Sequence, residues 1–289
     1  LGQLLSGQRI IEEERASLIA RLRLVRSFST VRGRQLIIIA RLLASSILMY
    51  SRNLAEDWTI TAMLYDGFIG ELTTLLMIED VFDPLIDTIK TESLRTLASI
   101  VSLGKPTKLN LVLESLGANS YHGFLARITR CCVNDLRCGK VGIGNTSVQF
   151  CTALFSLLYH LAGFDNGSQA LISCSMTEIL LSVVSCTNLP VQHISFVTRA
   201  VRVMDIMTSL DANGFTACNG MNIIIQRLIT DVNMCMKHLL ESKNRKTEQC
   251  HQQRAALIKS LLNFVRRAVQ DTHLTESVRH SKCMCLYYH

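Results

Sequence analysis

The chain has 289 residues and a formal charge of +7, with 48% hydrophobic and 18% charged residues and only three prolines. That balance excludes a disordered or low-complexity chain and supplies enough apolar material for one large core or several stacked units. The excess of positive charge admits acidic partners, and eleven scattered cysteines, several inside apolar runs, suit free thiols in a reducing cytoplasm or nucleus better than a disulfide framework.

The chain opens at Leu1, and Glu12, Glu13 and Glu14 stand where a secretory signal would carry an apolar core, so it reads as a piece of a longer protein. Ile11, Leu18, Leu22 and Val25 recur at helical spacing, with Arg21, Arg23 and Arg26 among them. A solvated face is the default for such arginines. The run from Leu36 to Tyr50 is interrupted by Arg41 and is shorter than the roughly 20 apolar residues a bilayer requires, so no transmembrane helix is expected. Pro84, Pro106 and Pro190 each fall at a junction between apolar-periodic segments, where proline suits the first turn of a new helix. Thr146-Ser-Val-Gln149 has the form of a capping box and predicts a helix start, continued by Val148, Cys151, Phe155, Leu158 and Ala162. Phe196 to Asp211, Met221 to Leu240 and Gln253 to Asp271 predict further amphipathic helices, with ESKNRKTEQC (241–250) as a flexible loop between the last two. Alternating, strand-like runs are nearly absent, and the expected class is all-α.

Some of these segments repeat. Shifted by about 60 residues, Leu154, Leu157, Leu161, Leu171 and Ile172 fall on Leu94, Leu97, Val101, Leu111 and Val112, with Gly104 beside the break that Gly163 makes in the later copy. The match runs on into TEILLSVV against YHGFLARI, and a looser copy spans Ile47 to Leu76. Stacked units of this size predict one continuous armadillo- or HEAT-like helical solenoid over 1–289, with repeats near 32–78, 88–133, 146–186, 190–240 and 251–280.

Three groups invite a chemical reading. His160 and Cys174 are a cysteine–histidine combination, but they lie fourteen residues apart in runs that read as core, with no acyl-transfer signature. His280, Cys283, Cys285 and His289 have zinc-ligand types, yet the C-x-C spacing is tight for a tetrahedral site; Cys131, Cys132 and Cys138 with His122 are weaker still. Gly139 to Ser147 (GKVGIGNTS) is glycine-rich but matches no phosphate-binding pattern, and no strand precedes it. No catalytic, cofactor-binding or metal-binding residue is therefore assigned.

NSYHGFL (Asn119 to Leu125), TALFSLLYHLAGFD (Thr152 to Asp165), FVTRAVRVMDIMTSLD (Phe196 to Asp211) and QRAALIKSLLNFVRRAVQD (Gln253 to Asp271) resemble the N-terminal region of the giant HECT-type ubiquitin-protein ligases, with LRTLASIV (Leu94 to Val101) as a weaker match. The resemblance covers most of residues 15–280 and stops after His280, which leaves the Cys283/Cys285 segment outside it. It implies an armadillo-like solenoid that recruits protein substrates or organises a large ligase. In that family a cysteine in an H-T-C-F-like loop of a C-terminal HECT domain accepts ubiquitin from a conjugating enzyme and passes it to a substrate lysine. None of the eleven cysteines here follows H-T or precedes F-N, so no catalytic position carries over.

The expected function is accordingly a substrate-recruiting scaffold segment of such a ligase, in the cytoplasm or nucleus, with protein substrates and the rest of the ligase as partners and no cofactor. A freestanding armadillo-type adaptor is the alternative. Carriers of basic peptides in that class use tryptophan ladders, whereas this chain has the single Trp58. Nucleic acid is disfavoured by 6% aromatics. A repeat array cut from its neighbours also exposes an apolar end, so self-association of the segment is expected.

Overall fold

Proline and short polar caps set the helix boundaries in the computed structural model, which describes residues 31–50, 67–78, 83–142, 146–241 and 247–270. In chain order the helices are α1 (Val31–Tyr50), α2 (Phe68–Leu76), α3 (Pro84–Ser102), α4 (Pro106–Ser115), α5 (Phe124–Arg137) and α6 (Val148–Ala162). They continue with α7 (Asp165–Ser173), α8 (Met176–Val184), a 3-10 turn at Val191–His193, α9 (Ile194–Met207), α10 (Ala212–Ala217), α11 (Gly220–Glu241) and α12 (Thr247–Gln270). No strand occurs among the described residues, and the fold is all-α, with helices near in sequence packing on one another as in a helical solenoid. Contacts group the described residues into two compact units, one within 1–116 and 145–161, the other within 117–144 and 162–289.

Pro84 and Pro106 occupy the first turns of α3 and α4, where a missing N–H costs nothing. At α3 the preceding Asp83 accepts from Leu85 N at 2.9 Å and from the Gln35 side chain of α1 at 2.7 Å, so one carboxylate caps one helix and ties it to another. Pro190 instead precedes the 3-10 turn that leads into α9. The expected capping box is displaced by one residue: Ser147 Oγ accepts from Phe150 N at 3.0 Å, which makes Ser147 the cap and places phenylalanine, not Gln149, at the third helical position. Of the segment read as a flexible loop, 241–250, Glu241 belongs to α11 and 247–250 to α12, and 242–246 lie outside the described residues.

In the first unit α3 packs on α1, and small residues of both helices are buried. Ser93, Thr96, Ala98 and Ser99 of α3 and Ser45 of α1 are all buried, and Thr96 Oγ1 donates within its own helix to Glu92 O (2.8 Å) and across to Leu42 O (3.3 Å). The hydroxyls of Ser93, Thr96 and Ser99 donate to backbone carbonyls of their own helix, so these polar groups tolerate burial. Arg41 reaches from α1 over the Phe68 ring at 5.4 Å and toward Glu71 of α2 at 3.7 Å.

The shifted copies agree where burial decides and slip where it does not. Leu94, Leu97 and Val101 in α3 and Leu154, Leu157 and Leu161 in α6 are all fully buried. In the next helix Val112 is fully buried while Leu111 is 46% exposed, and in the later copy it is Leu171 that is fully buried. The true correspondence there is Leu171 with Val112, one residue away from the register that leucine identity favours. Most of the looser copy, 51–66 with Trp58, lies outside the described residues.

The second unit is organised around α9, whose Ile194, Phe196, Val197, Ala200, Val201 and Met204 are fully buried between α8 and α12. Burial of each large side chain stabilises by about 1.5 to 3 kcal/mol, which outweighs the modest helix propensity of the valines and isoleucine. The entry to α5 depends on a close backbone approach. A Cβ at Gly123 would lie 1.8 Å from the Gly117 carbonyl oxygen and 2.9 Å from that of Ser120. Gly123→Ala is therefore expected to lower stability by about 1 to 3 kcal/mol through overpacking, read as a reduced urea midpoint. An unchanged midpoint would contradict this packing.

Candidate functional site

The cysteine–histidine reading does not survive the geometry of Cys174. Its thiol is fully buried, donates to Leu171 O at 3.2 Å, and is pushed by burial up to about 11. A thiol held that far above neutral pH is a poor nucleophile. His160 is half-buried, and burial lowers its pKa. Cys131 is exposed and Cys132 buried, on different faces of α5, and among the described residues no three His, Cys, Asp or Glu side chains stand close enough to hold a metal. His280, Cys283, Cys285 and His289 lie outside the described residues.

The glycine-rich stretch has a conformational role. Gly139 sits in the left-handed region (φ 66°), its N–H donates to Leu136 O at 3.2 Å, and Lys140 N donates to Asp135 O at 2.9 Å. This pair of bonds is a Schellman motif, so Gly139 ends α5. Residues 143–145 lie outside the described set.

Part of the basic character is consumed internally. Arg254, from the cluster Arg254 to Arg267, is buried against Asp231 at 2.6 Å, and Arg267 pairs with Asp205 at 2.8 Å and donates to Thr208 Oγ1 at 3.0 Å. Asp231 also accepts from Arg227 Nε, while Arg227 Nη1 donates to the carbonyls of Val184 (3.1 Å) and Cys186. Arg227, Asp231 and Arg254 thus form a buried Arg–Asp–Arg triad joining the end of α8 to α11 and α12. The unpaired carbonyls at a helix C-terminus attract a cation, which explains why Arg227 ends there. Nothing in residue spacing singles out this triad beyond the i, i+4 relation of Arg227 and Asp231.

His193 is fully buried before α9, with neither ring nitrogen hydrogen-bonded, and burial lowers its pKa from the ordinary value of about 6.5. Between the folded and unfolded pKa values the unfolded chain binds more protons, so the contribution of His193 is complete above about pH 6.5 and is lost as pH falls. Thermal melts are expected to give a lower Tm at pH 5.5 than at pH 7.5, and His193→Leu should reduce that difference. An identical pH slope in the variant would remove His193 as its source.

A groove of about 410 Å³ lies open to solvent in the second unit, between α5 and α8. Arg130, Asn134 and Arg137 line one wall at i, i+4 and i+7, Glu178 and Ser182 line the other at i and i+4, and Tyr121 closes one end. Arg130 is held in place: its Nη2 donates to Tyr121 O at 2.7 Å and its guanidinium lies 4.0 Å from the centre of the Tyr121 ring. Val133 and Ile179, both nearly buried, form an apolar floor. Such a site can hold an extended polar segment by charge and hydrogen bonds, and it presents no activated nucleophile. Residue spacing assigns these side chains no joint role, because their significance arises only when α5 and α8 are side by side.

No protein-family model matches the chain. It is 39% identical over 289 residues to E3 ubiquitin-protein ligase HUWE1 of Mus musculus, an alignment that covers 94% of this chain and 6% of that protein. The counterpart of Rattus norvegicus is 42% identical over 228 residues, covering 79% of this chain and 5% of that protein. E3 ubiquitin-protein ligase UPL2 of Arabidopsis thaliana is 25% identical over 239 residues, with 80% and 6% covered. The chain thus spans 6% or less of the length of each of these relatives.

Proposed function

We propose, from the premise that this chain is homologous to a segment of the HUWE1 and UPL ubiquitin-protein ligases, that it is the armadillo-like N-terminal scaffold of a HECT-type ligase and recruits protein substrates. The observation that carries the reading is the similarity itself, which extends over 94% of this chain. In this reading ubiquitin transfer belongs to a HECT domain elsewhere in the ligase, and the segment acts on which proteins are modified in the cytoplasm or nucleus. Stacked helices suit that task because they offer long polar surfaces on a rigid support. The inert thiol of Cys174 is consistent with a binding role.

The test is to tag the gene that encodes this chain and delete residues 31–270 in place. The expected product is far larger than 32.3 kDa, still forms a ubiquitin thioester when given a conjugating enzyme, and modifies a narrower set of substrates after the deletion. A product of about that mass, or a substrate profile that the deletion leaves unchanged, would overturn the reading.

A further inference from the structure

We infer that the groove between α5 and α8 binds an acidic peptide in an extended, polyproline-II-like conformation, with carboxylates at positions i and i+3. This rests on the substrate-recruiting reading and names the surface and chemistry by which it would work.

The argument begins with charge. The titratable groups facing the groove are Arg130 and Arg137 on α5, Glu178 on α8, and the side chains of Tyr121 and Cys131. Two guanidinium groups against one carboxylate give a net attraction for an anion. Neither Arg137 nor Glu178 has an ion-pair partner among the described residues. Arg130 is preorganised by Tyr121 through one N–H and one face, which leaves further donors of its planar fork for a carboxylate.

Spacing then selects the conformation. Arg130 and Arg137 are seven residues apart on one helix, a rise of about 10.5 Å. A polyproline-II helix repeats its side chains every three residues, about 9.3 Å, whereas one face of a β-strand repeats at roughly 6.8 Å. The first distance matches the arginine pair to within about 1 Å and the second does not. Between the arginines, Asn134 presents an amide with both a donor and an acceptor, the complement of a peptide unit whose own groups are unpaired in polyproline II.

The same features disfavour nucleic acid. The Tyr121 ring is the aromatic surface of the groove, and Arg130 already occupies one of its faces, so it offers no open platform for a run of stacked bases. Glu178 on the facing wall also opposes a continuous phosphate backbone. A peptide with an uncharged pair of residues between its two carboxylates meets no such conflict.

The experiment is fluorescence anisotropy of the 289-residue chain with a fluorescein-labelled peptide bearing two aspartates three positions apart in a proline- and alanine-rich background. Expected are saturable binding that weakens with salt, at least a tenfold loss for Arg137→Ala, and no loss for Glu178→Gln. A peptide with the pair two positions apart, or with both aspartates changed to asparagine, should bind at least tenfold more weakly. A second readout needs no variant: the exposed Cys131 should be protected from alkylation by the bound peptide, while the exposed Cys138, absent from the groove lining, should not. No binding, binding indifferent to Arg137 or to the aspartate spacing, or tighter binding of single-stranded RNA would each overturn the inference. If these fail while deletion of the segment still narrows the substrate set, the groove is refuted and the recruiting role stands.

Discussion

Replacing Asp231 by alanine is expected to destabilise the second unit by about 3 to 5 kcal/mol, because it leaves the Arg227 and Arg254 guanidinium groups buried without their counter-charge. All three side chains are under 10% exposed, so water cannot take over the lost partner. The two arginines should not be equivalent. Arg227→Met removes the donor to the Val184 and Cys186 carbonyls at the end of α8 as well as the ion pair, whereas Arg254→Met removes one pairing at 2.6 Å. The expected order of loss is Asp231→Ala, then Arg227→Met, then Arg254→Met, measured as falling urea midpoints at constant m. At the few kcal/mol per molar characteristic of urea, the first should shift by about 1 M or more. If Asp231→Ala matched the wild-type midpoint, the triad would contribute nothing and the internal role assigned to Arg254 would be wrong.

The triad also marks the limit of what the residue pattern discloses. Helical periodicity placed α9 and α12 well, since Ile194 to Met207 and Leu257 to Ala268 alternate burial as their apolar spacing requires. Two of the prolines were equally legible: Pro84 and Pro106 stand in the first turns of α3 and α4, as their backbone chemistry dictates, whereas the role of Gly139 in ending α5 was not read from its glycine-rich stretch. The charged residues were not. Arg254 and Arg267 look like the solvated side of a basic helix, and only the packing of α12 on α11 and α9 reveals that their partners are Asp231 and Asp205. Short-range rules also blur by one residue. Thr146 and Ser147 are both good caps by residue type, and it is Ser147 that accepts from Phe150 N.

The groove illustrates the same difficulty from the other side. Arg130, Asn134 and Arg137 could be read from the sequence as one face of α5, but so could any i, i+4, i+7 triplet of polar residues. Their interest lies in Glu178 and Ser182, more than forty residues later, standing on the facing wall, and in Tyr121 folding back under Arg130. That return depends on the tight turn from Gly117 to Gly123, in which two glycines let the backbone approach itself. The family resemblance, by contrast, was available from contiguous blocks because it needs no three-dimensional juxtaposition.

Phe264→Ala is expected to cost about 3 to 5 kcal/mol, and its coupling to Gly220 tests how α10, α11 and α12 interlock. The Phe215 and Phe264 rings are both fully buried, with centroids 5.3 Å apart and a tilt of 45°. The Phe215 ring also lies against Gly220, where a Cβ would come within 2.4 to 2.6 Å of three of its carbons. Phe215 therefore packs on both a neighbouring ring and a bare backbone. Gly220→Ala alone should lose about 1 to 3 kcal/mol, since a fully buried ring packed on Phe264 has little room to retreat. In the Phe264→Ala background the vacated volume lets Phe215 move, so adding Gly220→Ala should cost little or recover stability. The double variant is then less destabilised than the sum of the singles, by an interaction energy of about 0.5 to 3 kcal/mol. Strict additivity in urea unfolding would mean that Phe215 does not couple the two, and that these three helices are joined through other contacts.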